Sequence, residues 1–174
     1  MPQPKRTRRR VVVAPEEASP PLEGMDLGTL AGLLGFHVRM AQAVIYRDFA
    51  AAVAGLDLTQ KQFAVLELLA ANPGASQIDL GATLGTDRAT MMALVDRLAA
   101  RGWVERAVSA NDRRRQELRL TQTGQAGLSE ARQLVVAHEA RLLADISPAE
   151  RQLVIDVLGR LRQATATGPA DSPA

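Results

Sequence analysis

Apolar positions along this chain follow two different periods, and the change between them falls near the middle. From Asp26 to about Leu56, apolar side chains recur at Leu30, Leu33, Leu34, Val38, Ala41, Val44, Ile45, Phe49 and Val53. That is the 3.6-residue spacing of one long helix with a wide apolar stripe. Thr59-Gln60-Lys61-Gln62 then reads as a capping box, in which the Thr hydroxyl and the Gln amide satisfy orphan backbone N–H groups at a second helix start. Leu58 and Phe63 stand at the two positions of a hydrophobic staple. This helix runs to about Ala71 and is stopped by Asn72-Pro73-Gly74. Ser76, with Asp79 three residues on, opens a short helix that ends at Leu84-Gly85. Thr86 is expected to cap the next one, which continues to Arg101-Gly102. Two short helices joined by so tight a glycine-containing turn predict a helix-turn-helix.

After Gly102 the period drops to two. Residues 103–106 and 116–120 predict two strands, with Ser109-Ala110-Asn111-Asp112 supplying turn chemistry between them. Helical spacing returns at Thr121, and Leu128, Ala131, Leu134, Val135, His138 and Leu142 mark a helix to about Asp145. Ser147-Pro148-Ala149-Glu150 is a second capping box, with Pro at its first helical position, opening a last helix to about Arg162. Residues 1–24 are rich in Pro and charge without any period and read as a disordered basic arm; residues 166–174 read as a disordered tail. The predicted fold class is mainly α with a small two- or three-stranded β-wing. A winged helix-turn-helix over about 58–120 is flanked, within a domain of residues 25–165, by long helices over about 26–56 and 121–163. The flanking apolar stripes exceed what one small winged domain covers, which predicts a homodimer joined through them.

Composition supports a helical core: 47% of residues are hydrophobic but only 3% aromatic, so the interior is built from Leu, Val, Ile and Ala, of which Leu and Ala are strong helix formers. The absence of cysteine excludes disulfides and thiolate chemistry. No apolar run approaches the roughly 18 residues of a membrane span, and the N-terminus lacks a signal-peptide apolar region, so a cytoplasmic protein is expected. Charge is more informative than its net value of +2. Positive charge gathers in the first 24 residues and in the block 86–119, which includes the run Arg113-Arg114-Arg115 at the hairpin tip. Charge held out on a protruding hairpin beside a helix-turn-helix suits a phosphate backbone and an adjoining minor groove, which predicts double-stranded DNA as the partner.

The chain resembles the multiple-antibiotic-resistance-regulator (MarR) family over about residues 26–163. The most specific match is the wing, where Asp112-Arg113-Arg114 is followed by Leu118, Leu120-Thr121 and Gly124. A second is Leu94-Val95-Asp96-Arg97-Leu98 followed by Arg101-Gly102-Trp103-Val104. The resemblance implies a triangular dimer with interlocked terminal helices, whose winged domains stand on successive major grooves of a pseudo-palindromic operator. It also implies that Arg114 enters the minor groove braced by Asp112, with Arg113 and Arg115 on phosphates or Arg113 bridging back to Asp96. The bland alternative is a solvated charge run.

On the recognition helix, Met91, Val95 and Leu98 share one face and are expected to pack inward. Ala89, Met92, Ala93 and Asp96 face the other way, flanked by Arg88 and Thr90, and are expected to meet the major groove. Of these only Arg88 makes a bidentate pair with guanine, whereas Ala and Met offer apolar contact to thymine methyls. Met92 has a second reading as a partly buried gap-filler.

Relatives often bind small aromatic carboxylates beside the first helix. His37, Arg39, Met40 and Tyr46 are the corresponding ligand candidates, for an aromatic acid or its CoA thioester; the competing reading is a core histidine and an interface arginine. Two histidines without clustered co-ligands do not make up a metal site, so none is expected. No nucleophile–base pattern or phosphate-binding glycine loop is present, so neither enzymatic activity nor a cofactor is expected. The predicted function is a dimeric transcriptional repressor released by a small-molecule effector. The alternative is a ligand-blind winged-helix module that organises DNA or docks proteins.

Overall fold

The computed structural model describes residues 25–108 and 116–166, the last three of these by backbone alone. The expectations for the arm at 1–24, for the hairpin tip at 109–115 and for the tail after residue 166 lie outside the described residues. The chain divides after Asp48 into two compact units.

In the first unit the expected single helix over 26–56 is broken. A 3-10 turn spans Gly28–Gly32, Leu33 is extended (φ −95, ψ 110), and only then does helix α1, Leu34–Ala52, begin. Glycine explains the interruption. Gly28, Gly32 and Gly35 weaken helix formation along this stretch. Gly28 adopts φ 53, where Asp26 Oδ1 accepts its N–H at 2.9 Å. The apolar stripe is present as spaced, but Leu33, Leu34, Val38, Val44 and Ile45 are exposed in the isolated chain.

The second unit begins with the last turn of α1, whose Phe49 and Val53 neighbour are buried. A 3-10 turn at Ala54–Leu56 ends on Asp57, so the stripe does not continue as helix to Leu56. Helix α2, Gln60–Ala71, starts at the expected Thr59–Gln62 capping box, with Leu58 buried and Phe63 packed on the core. Helix α3, Gln77–Leu84, starts at the Ser76–Asp79 box and ends on left-handed Gly85. Helix α4, Arg88–Ala100, departs from expectation by one residue. Asp87, not Thr86, is its cap, and Asp87 Oδ1 accepts from Thr90 N at 2.9 Å. Thr86 is already engaged closing the previous helix: its N–H donates to Gly81 O and its hydroxyl to Leu84 O.

Strands β1, Val104–Val108, and β2, Gln116–Leu120, pair antiparallel, with Val104 opposite Leu120 and Arg106 opposite Leu118. Among the described residues this two-stranded ladder is the whole sheet. A third segment touches it at one point: Gly74 N donates to Leu118 O, and Leu118 N donates to Ala75 O, both at 3.0 Å. Helix α5, Gln122–Leu142, is capped by Thr121 and ends three residues short of Asp145. Helix α6, Pro148–Ala166, extends past Arg162. Its Ser147–Glu150 box is reciprocal, with Ser147 N donating to Glu150 Oε2 at 2.8 Å and Glu150 N to Ser147 Oγ at 3.3 Å.

Val65, Leu66, Val95, Leu98 and Ala131 are wholly buried and unite α2, α4 and α5 in one core. A forked ion pair joins α5 to α2 at the rim, where Arg132 donates to both Glu67 oxygens at 2.8 Å.

Candidate functional site

Helix α4 is amphipathic along its length. Met91, Leu94, Val95 and Leu98 are buried, whereas Arg88, Ala89, Thr90, Met92, Ala93 and Asp96 are all exposed. Met92 is 50% exposed, so it does not fill a core gap. The five candidates from Arg88 to Ala93 therefore lie together on the free surface of the N-terminal half of one helix. A cation, a hydroxyl and three small or flexible apolar groups offer this face little hydrogen bonding to base edges and more shape complementarity.

The position of the helix is fixed at both ends. At its start, the hydroxyl and then the amide of Thr90 donate to Asp87 and hold that carboxyl below the usual aspartate range. The same arrangement recurs at α6, where the Ser147 hydroxyl and amide lower the Glu150 carboxyl. Carboxyls with depressed folded pKa values stabilise the fold at neutral pH, and that contribution disappears only as pH falls through the lowered values. Thermal midpoints followed by circular dichroism should therefore hold steady near neutrality and drop on acidification below about pH 4. The variant Asp87→Asn, which keeps an acceptor but does not titrate, should show a shallower acid limb; an identical limb would remove Asp87 from the acid response.

At its other end α4 closes with a left-handed glycine. Gly102 has φ 69, its N–H donates to Ala99 O at 2.9 Å, and Trp103 N donates to Leu98 O at 3.0 Å. This paired closure turns the chain directly into β1. The wing is also locked to the helix by a side chain the sequence reading did not single out: Arg106 on β1 forms an ion pair with Asp96 on α4. Asp96, grouped above with the outward face, is thus partly engaged. The pairing signal was legible only in register, because Arg106 stands opposite Leu118 and ten residues from Asp96. Asp112, Arg113, Arg114 and Arg115, including the suggested Arg113–Asp96 bridge, lie outside the described residues.

The base of the wing is joined to α5 by tight backbone contact. Thr121 N donates to Trp103 O at 3.1 Å, and Thr121 Oγ1 donates to Gly102 O at 2.6 Å while accepting from Gly124 N at 2.9 Å. Gly124 and Gly127 lie directly against Trp103, so close that a Cβ on Gly124 would stand 2.0 Å from the Trp103 carbonyl oxygen.

The ligand candidates all belong to the first unit. His37 and Arg39 are exposed, and Met40 and Tyr46 half-buried. His37 Nε2 lies 2.9 Å from the Ala31 carbonyl oxygen; the carbonyl can only accept, so Nε2 carries the hydrogen and neutral His37 presents Nδ1 as an acceptor. Its ring meets Phe36 edge-on at 5.4 Å between centroids. His37 is therefore not a core histidine, whereas His138 is: it is 2% exposed and packs edge-on against Phe49. Among the described residues no cluster of three His, Cys, Asp or Glu could hold a metal, and no helix is long and apolar enough to cross a membrane.

Comparison with known proteins gives this geometry relatives. The family model described as "MarR family" matches residues 55–115. Over 145 residues the chain is 34% identical to a protein of Thauera aromatica described as a putative transcriptional regulatory protein for the hcr operon, covering 83% of this chain and 87% of that one. It is similar in structure to the transcriptional repressor CouR bound to a 23-mer DNA duplex, with a TM-score of 0.76 and 38% identity, over 79% of this chain and 98% of CouR. Against CouR bound to p-coumaroyl-CoA the TM-score is 0.72 and the identity 36%, over 79% of this chain and 97% of CouR.

Proposed function

Because the chain belongs to the MarR family of transcriptional regulators, we propose that it acts as a homodimeric repressor whose operator is released when an aromatic acid or its CoA thioester binds. The observation that carries the DNA half of this reading is the exposed N-terminal face of α4, braced by the Arg106–Asp96 pair. Residues Arg88, Ala89, Thr90, Met92 and Ala93 would enter the major groove. Arg114 would enter the flanking minor groove beside Asp112, and Arg113 and Arg115 would lie on phosphates. Helices α1, α5 and α6 would join two protomers, setting the winged domains about one helical turn apart on a pseudo-palindrome.

The effector half is supported by two separate CouR complexes, one with a DNA duplex and the other with p-coumaroyl-CoA. Arg39 would face a carboxylate or a thioester's phosphates, and His37 Nδ1 would accept from a phenolic hydroxyl; Met40 and Tyr46 would supply the polarizable wall. Such a ligand need not touch DNA: it has only to favour a spacing of the recognition helices that no longer fits one turn.

The test begins with a duplex enriched by the protein from a random library. Free p-coumarate and p-coumaroyl-CoA are then titrated against the complex. An effector should weaken duplex binding by about 5- to 150-fold, and the duplex should weaken the effector by that same factor. Arg39→Ala and His37→Ala should blunt release while leaving duplex affinity unchanged. A compound that releases DNA yet binds free and DNA-bound protein equally would contradict the two-state account. If neither compound binds, the aromatic assignment falls and the DNA reading stands on its own.

A further inference from the structure

The C-terminal end of α4 is held by more than its own cap. Arg101, which follows the last helical residue, sends its guanidinium across 44 positions of sequence to the turn that precedes α2. One N–H donates to Asp57 O at 2.9 Å and another to Leu56 O at 2.7 Å. The same guanidinium lies over the Trp103 ring, 4.2 Å from its centroid. The two carbonyls belong to a turn with an unusual backbone. Asp57 has φ 46 and is the one non-glycine residue at positive φ among the described residues. An aspartate in that conformation persists only where its surroundings over-determine it. The surroundings here are firm on both sides: Val53 just before the turn and Leu58 just after it are buried. Trp103 in turn is backed by α5, through the Thr121 hydrogen bond to its carbonyl and the bare backbone at Gly124 and Gly127. The α1–α2 turn, the end of α4 and the start of α5 therefore converge on one guanidinium and one indole.

We propose that Arg101 is a positioning residue for DNA recognition: by clamping the α1–α2 turn to the end of α4, it sets the angle at which the recognition helix is presented and delivers displacements of that turn to it. The chemistry selects arginine. A planar fork serves two adjacent carbonyls while its face stacks on an aromatic ring, whereas an ammonium is a point donor with no face to stack. With its fork turned inward onto the protein, Arg101 acts on DNA through α4, not by touching phosphate. The proposal rests on the reading of α4 as the helix that contacts DNA.

Arg101→Gln and Arg101→Lys are compared with wild type on the duplex enriched by wild-type protein and on an unrelated duplex of equal length. Loss of the clamp should weaken the enriched duplex by roughly 2- to 30-fold, with binding to the unrelated duplex and the salt slope of both unchanged. Lys should not rescue. A fall of about one in the salt slope, equal on both duplexes, would make Arg101 a phosphate contact instead. A lowered thermal midpoint with unchanged duplex affinity would reduce it to a stabilising cap. Trp103 is the only tryptophan in the chain, so its emission gives a measurement on wild-type protein should both variants misfold. The enriched duplex should shift the emission and the unrelated one should not; identical responses would overturn the proposal. If wild type enriches no sequence, the DNA reading itself has failed, a result distinct from any of these.

Discussion

Among the described glycines, Gly124→Ala should be the most damaging substitution, lowering stability by about 3 kcal/mol and the thermal midpoint by roughly 6–12 °C. Helix α5 starts by running its first turn across the backbone of Trp103. A Cβ at position 124 would lie 2.0 Å from the Trp103 carbonyl oxygen and 2.8 Å from its carbonyl carbon. Both obstacles are backbone, so no side-chain rotation relieves them; either α5 lifts or β1 shifts. Lifting α5 would break the Thr121 N–H bond to Trp103 O and the Thr121 hydroxyl bond to Gly102 O, and both hold the start of α5 to the junction between the recognition helix and the wing. At Gly127 the atoms met are the Trp103 ring carbons Cη2 and Cζ2, at 2.6 Å, and a ring can tilt, so Gly127→Ala should cost less. Gly159 supplies the internal control, since nothing lies within 4 Å of a Cβ there. As a helix-interior site on α6, Gly159→Ala should be neutral or stabilising by up to about 1 kcal/mol. Urea denaturation of the three variants checks the order; a Gly124→Ala protein as stable as Gly159→Ala would contradict the close approach.

The second large effect concerns association. On α6, Val154, Leu158 and Leu161 are spaced as one helical face and are 55%, 43% and 44% exposed. On α1, Leu34, Val38 and Ile45 are likewise exposed. Apolar surface on this scale, repeated on two helices, marks an interface. Light scattering at micromolar concentration should give about twice the 18.6 kDa chain mass. Val154→Asp combined with Leu158→Asp should give single chains, because charge in a buried apolar seam has no partner. A single winged domain reaches one half-site only, so operator affinity should fall by about 10²- to 10⁴-fold. Binding to a half-site duplex should fall far less. Wild-type protein that stays monomeric would end the dimer reading, and a monomeric variant that binds the full operator normally would separate dimerisation from recognition.

Most of the architecture was legible in the sequence because it is governed by local rules. Caps at Thr59, Ser76 and Ser147 place helix starts through side chains that reach backbone only three residues away. The inward face of α4 followed from period alone, since Met91, Val95 and Leu98 are separated by helical steps. The change from period 3.6 to 2 located the hairpin, and the resemblance to the family named what the hairpin accompanies. Apolar periodicity nevertheless overstated the first helix. It registers which side chains share a face, and it is blind to the backbone freedom of Gly28 and Gly32, which lets the chain turn before Leu34.

What tertiary structure alone decided are the contacts that join residues distant in sequence. Nothing in the run Ala100-Arg101-Gly102 indicates that Arg101 reaches back to the carbonyls of Leu56 and Asp57, because carbonyl acceptors carry no sequence signature. Arg106 could not be assigned to Asp96 until strand register brought it under α4. The choice of Asp87 over Thr86 as a cap depended on which of two adjacent polar residues the preceding turn had already engaged. The sequence determined the elements and their faces, since those depend on spacing and on near-neighbour hydrogen bonds. The set of the recognition helix against the wing, α5 and the α1–α2 turn depends on where the elements meet in space, and only the folded chain specifies that.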